Sequence, residues 1–116
     1  MIDKTESKDM KEDNTMFRYA WKAYVRDIDE YRKRHDAIWP EMTEMLNEAG
    51  IHNYTIWNFG NELFAYMECS IDPMDSVRIQ NASEVNRRWG EYMKDILYYA
   101  EGEDGPTELK QVFLHP

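Results

Sequence analysis

The order of periodicities along the chain predicts an α+β domain of β-α-β-β-α-β, ferredoxin-like arrangement, an antiparallel sheet with two helices on one face. Three observations carry this. Alternation of apolar and polar residues begins at Phe17. Two apolar stripes at helical spacing follow, between Ile28 and Ala49 and between Ala82 and Ile96. Between them lie two aromatic-rich runs separated by Gly60-Asn61.

Composition bounds the rest. At 116 residues a single domain is expected, and 42% hydrophobic content is enough for its core. The net charge of −9 argues against nucleic acid as a partner, since a phosphate backbone calls for a basic face. No apolar run approaches transmembrane length and the start lacks the apolar core of a signal peptide, so no membrane partner and a cytoplasmic location are expected. Cys69 is the single cysteine; it permits no intramolecular disulfide and reads as a small buried hydrophobe.

In chain order, residues 1–15 hold five acids and three lysines with almost nothing apolar, so they are expected to be a disordered charged leader. Met16 marks the composition boundary, reads as an alternative start, and opens the folded domain expected over residues 16–116. From Phe17 to Val25 the alternation predicts a strand with one buried face. Asp27, with Glu30 after it, predicts a capped helix start. The helix carries Ile28, Tyr31, His35, Ile38, Met42, Met45 and Ala49 along one side, kinks or breaks at Pro40, and ends at Gly50. Ile51–Phe59 and Glu62–Ile71 read as a hairpin turning on Gly60-Asn61. Asp72-Pro73 opens a second helical region, Ser83 caps its later part, and Ala82, Val85, Trp89, Tyr92, Met93 and Ile96 form its apolar face. Glu101–Pro106 is loop by chemistry, and Glu108–Leu114 reads as a closing strand. One helix layer covers one sheet face, yet the strands carry aromatics in both phases (Tyr19, Trp21, Trp57, Phe59; and Tyr24, Tyr54, Phe64, Tyr66). A homodimer covering the second face is expected.

The chemistry centres on His35, a titratable ring inside an apolar stripe, with Tyr31 one turn before it and Trp39 one turn after. From position alone two readings stand. One is a core histidine satisfied by a backbone carbonyl or by Tyr31; the other is an acid–base group whose ring exchanges protons near neutrality. His52 and Tyr54, two apart on a strand, are expected to share a face and to bring one of them to the site. The chain has no glycine-rich phosphate loop, paired-cysteine metal site or nucleophile elbow. Its three histidines (His35, His52 and His115) lie on different elements, so spacing supports no metal.

Four blocks carry a resemblance: Tyr31-Arg-Lys-Arg-His35-Asp-Ala-Ile-Trp39-Pro40-Glu41; His52-Asn53-Tyr54; Arg88-Trp89-Gly-Glu-Tyr92-Met93; and Glu108-Leu-Lys-Gln-Val-Phe113. In this order, over residues 17–116, they resemble the L-rhamnose mutarotase family. The resemblance implies a small dimeric α/β-barrel fold and interconversion of the α and β anomers of a 6-deoxy sugar, with no metal and no cofactor. It implies His35 as the proton-transferring catalytic residue and Tyr31, Tyr54 and Trp89 as substrate-binding residues; Trp39, from its own place one turn after His35, is expected to shape the pocket. Many family members carry a second tryptophan where this chain has Gly90, a departure that bears on which sugar is taken, L-rhamnose or a relative such as L-fucose. Glycine inside a helix costs roughly 1 kcal/mol against alanine, so the departure calls for a reason. Two other readings of the same fold are a cofactor-free or haem-handling oxygenase and a non-catalytic ligand-binding module.

Overall fold

The structure, a computed structural model, describes residues 16–116, and the expected leader at 1–15 lies outside the described residues. Strand β1 (Phe17–Val25) follows the alternation, burying Ala23 and Val25. Asp27 then starts helix α1 (Ile28–Asp36), its carboxylate accepting the Glu30 backbone N–H at 3.0 Å. Glu30 turns its own carboxylate to Arg34, at 2.9 Å, rather than back to the cap. The expected irregularity at Pro40 is a full break. Trp39 is extended (φ −65°, ψ 137°), as the clash with the following proline ring demands, and Pro40 opens helix α2 (Pro40–Glu48) at its first position. Gly50 closes α2 with φ +74°, in a place where a Cβ would meet the Ile71 side chain at 3.0 Å.

Strands β2 (Ile51–Phe59) and β3 (Glu62–Cys69) pair as the expected hairpin, with Phe59 opposite Glu62 across the Gly60-Asn61 turn. Asp72 caps helix α3 (Pro73–Ala82), and Ser83 caps helix α4 (Glu84–Met93) by accepting the Asn86 N–H at 3.1 Å. Strands β4 (Leu97–Tyr98) and β5 (Thr107–Leu109) follow. The antiparallel sheet runs β2-β3-β1-β4, with β5 also on β1, which is the ferredoxin-like order.

The closing strand departs from expectation. The free edge of β1 takes two short pieces, β4 against Tyr24 and Val25 and β5 against Ala20 to Lys22. Pairing ends at Leu109, and residues 110–116 are not strand. Among the described residues Val112 (95% exposed) and Phe113 (78%) have no element against them. Alternation marks a segment able to pair; a ladder also needs a neighbour to bond to.

The helices pack on the sheet face that carries Leu63, Ala65 and Cys69, all buried. Cys69 is unpaired and its thiol donates to the Ile71 carbonyl at 3.3 Å. One core cluster gathers Val25, Tyr31, Leu63, Met93 and Ile96; the other gathers Met42, Met45, Ala49, Ile51 and Cys69. Trp89 packs against both, so it sits at the seam. Among the described residues the opposite sheet face is open. There Lys22 lies over the Tyr24 and Phe64 rings and pairs with Glu62, while Trp57 and Phe59 stand largely exposed. Among the described residues no helix is long and apolar enough to cross a membrane.

Candidate active site

The site is built on the last turn of α1. His35 Nδ1 lies 3.0 Å from the Tyr31 carbonyl oxygen. A carbonyl only accepts, so Nδ1 carries the hydrogen and the neutral ring presents Nε2 as a bare acceptor. One nitrogen is therefore structurally satisfied, as the core reading expects, and among the described residues Nε2 has no hydrogen-bond partner. The Tyr31 ring is buried against it, centroids 4.4 Å apart, and the Trp89 ring meets it edge-on at 5.5 Å.

Trp89 is in turn held from behind. Trp39 meets it at a right angle, 5.1 Å between centroids, and stacks on Tyr92 at 5.4 Å. The break before Pro40 is what frees Trp39 to reach α4. Arg34 ties the same two regions together: its guanidinium donates to the Tyr92 carbonyl at 2.7 Å, pairs with Asp95 at 2.9 Å and lies over the Tyr92 ring. Trp39 thus packs against Trp89 and does not itself line the cavity.

Tyr54 reaches the site by a change of register. His52 pairs with Glu68 and Thr55 with Tyr66, so β2 has one residue more than β3 over this stretch. The extra residue is accommodated at Asn53, whose φ is +50° and whose side chain donates to Glu68 at 2.7 Å. As a result His52 and Tyr54 do not share a face. His52 follows Glu68 to the open sheet face, with Nε2 3.0 Å from Ser70 Oγ, and Tyr54 turns inward. The expectation of a common face assumed an unbroken period of two, which the bulge removes.

Tyr31, His35, Tyr54, Trp89 and Gly90 all border one cavity of about 490 Å³. Met42, Met45 and Met67 supply much of its apolar wall. Tyr31, His35 and Tyr54 also border a second cavity, of about 500 Å³, on their other side. Burial raises the Tyr31 hydroxyl well above the ordinary tyrosine range, with the Tyr54 and Tyr99 phenols adding to it. Tyr54 is pushed up to about 12 by burial, partly offset by hydrogen bonding from the Trp21 indole. Its side chain keeps 36% exposure because it faces the cavity while protein surrounds it on the other sides. Both phenols are therefore standing hydrogen-bond donors near neutral pH. Among the described residues no group of three His, Cys, Asp or Glu side chains is placed to hold a metal.

The polar and aromatic lining residues outside the sequence expectation are Trp21, Gln80, Asn86 and Tyr99. Trp21 lies on the buried face of β1, and Asn86 is one turn before Gly90 on α4, so each had a faint periodic signal. Tyr99 follows β4 in irregular chain, where no period exists to read.

The L-rhamnose mutarotase family model matches residues 18–115. An L-rhamnose mutarotase of Oceanobacillus iheyensis is 37% identical over 94 residues, covering 78% of this chain and 88% of that protein. The chain belongs to the L-rhamnose mutarotase family. The mutarotase of Shigella flexneri is 35% identical over 104 residues, covering 82% of this chain and 97% of the relative. The crystal structure of the Formosa agariphila L-rhamnose mutarotase superposes with a TM-score of 0.71 at 27% identity, over 86% of this chain and 99% of that one. Tetracenomycin F2 cyclase from Streptomyces glaucescens, at 15% identity and a TM-score of 0.60, over 86% of this chain and 99% of its own, shares the fold alone.

Proposed function

We propose that the protein interconverts the α and β anomers of L-rhamnose by general acid–base catalysis at His35, as a cytoplasmic homodimer serving L-rhamnose metabolism. The observation that carries this is the 3.0 Å contact between His35 Nδ1 and the Tyr31 carbonyl, which leaves Nε2 as a base bordering the cavity. Nε2 takes the proton of the anomeric hydroxyl, C1 becomes a carbonyl as the C1–O5 bond breaks, and the His35 ring returns that proton to O5. Rotation about C1–C2 and closure on the other face reverse each transfer. Tyr31 and Tyr54, protonated throughout, donate hydrogen bonds to sugar oxygens, and Trp89 offers its ring to the sugar's C–H face. The reaction needs only proton transfer, and a positioned acid–base group supplies about 10²–10⁴-fold each. A methyl at C6 suits the methionine-lined wall.

The homodimer is supported by the open sheet face with Trp57 and Phe59, and by Val112 and Phe113 beyond β5. A lone unpaired cysteine accords with a reducing compartment.

Saturation transfer between the two anomer signals of L-rhamnose in NMR tests the reading. Exchange well above the spontaneous rate is expected, with L-fucose run alongside as a competing substrate. Exchange at the spontaneous rate for both sugars would refute it.

A further inference from the structure

Gly90 opens more than space. Gly90 lies inside α4 and borders the cavity, and a Cβ built on it meets nothing within 4 Å. A helical side chain lies over the turn before its own Cα, so any side chain at this position would cover Asn86, one turn earlier on the same face. Glycine leaves Asn86 uncovered.

The Asn86 amide is fixed in orientation. Its Nδ2 donates to the Gln80 backbone carbonyl at 3.1 Å, and a carbonyl can only accept, so the amide nitrogen must point to α3 and Oδ1 away from it. Among the described residues no donor meets Oδ1, although Asn86 borders the cavity. In a wall that also carries Gln80, whose amide nitrogen is taken up by Ser76 Oγ, and Met42, Met45 and Leu46, an amide oxygen has a use for a ligand that donates a hydroxyl there. The ring hydroxyls are common to 6-deoxy and ordinary hexoses; a hydroxyl on C6 is what an apolar wall would not serve.

We propose that Asn86, uncovered by Gly90, is a specificity-determining residue that accepts a hydrogen bond from a C6 hydroxyl, extending the substrate class from 6-deoxy sugars to aldohexoses with a hydroxymethyl group. This rests on the mutarotase reading. An apolar pocket disfavours an added hydroxyl by about 10²-fold, and the Asn86 oxygen removes much of that penalty.

L-Mannose and L-rhamnose differ only by the C6 hydroxyl, so their anomer exchange, read by NMR saturation transfer, isolates it. In the wild-type protein kcat/KM for L-mannose is expected within about ten-fold of that for L-rhamnose. Asn86→Leu, close in shape but with no acceptor, is expected to lower the L-mannose to L-rhamnose ratio by roughly ten-fold. Asn86→Ala repeats the test should leucine disturb the fold. A wild-type preference for L-rhamnose of about 10² or more, or a ratio that neither variant moves, overturns the inference and leaves the mutarotase reading standing. Exchange of neither sugar sinks that reading and the inference with it.

Discussion

At His35 one backbone carbonyl decides which nitrogen is chemically available. Because Nδ1 is committed to the Tyr31 oxygen, replacing the ring removes the base without removing any inter-element hydrogen bond. His35→Ala is therefore expected to fold and to lose at least about 10²-fold in catalysed anomer exchange; a folded variant with full exchange would remove the proposed proton carrier. The tyrosines make a second prediction, about alkali. A raised phenol stays protonated in the folded state while the unfolded state ionises near the ordinary value of about 10. The folded state then binds more protons, so stability is full below that value and is lost as pH rises toward about 12 for Tyr54. Denaturation midpoints in urea should fall over that window, and Tyr54→Phe should flatten the fall. Tyr31 and His35 were legible in the sequence because helix spacing alone sets both on one face. Trp21, Tyr99 and Asn86 come to the cavity from separate elements, and nothing in the chain order pairs them with His35.

At the level of elements, the Asn53 bulge aims Tyr54. A β-branched residue tolerates φ +50° poorly, at a cost of roughly 1–2 kcal/mol. Asn53→Val should therefore destabilise by about that amount and also depress exchange, because relaxing the bulge turns Tyr54 toward the other face. Asn53→Gly keeps the backbone conformation and should retain more exchange than Asn53→Val. Thermal melts and saturation transfer on the pair check this, and equal exchange in both variants would show that the bulge does not position Tyr54. The break at Pro40 was foreseeable from the proline. What it accomplishes was not: it lets Trp39 swing behind Trp89 and brace it.

At the scale of the whole fold, one face of the sheet lacks cover among the described residues. Trp57 and Phe59 are 67% and 78% exposed, a large apolar area to leave in water. Light scattering on a sizing column should give a dimer at micromolar concentration, and a Trp57→Glu, Phe59→Glu double variant should run as a monomer. A monomeric wild-type protein would end the dimer proposal. The same face also holds Lys22 between two rings and paired with Glu62, so its polar groups are matched within one chain and need not find partners across an interface.

Features that depend on neighbours along the chain are readable from the residues alone: the caps at Asp27, Asp72 and Ser83, the break at Pro40, the Gly60-Asn61 turn, and Tyr31 and His35 on one helix face. These follow from backbone sterics and local hydrogen bonds, which act over a few residues. The rest depends on how the elements pack. A single extra residue at Asn53 reverses which side chain faces inward, because the strand period is two. The last strand stops at Leu109, since pairing needs a neighbouring edge as well as an alternating sequence. Trp21, Tyr99 and the Asn86 amide left bare by Gly90 meet only when sheet and helices pack, which no local signal encodes.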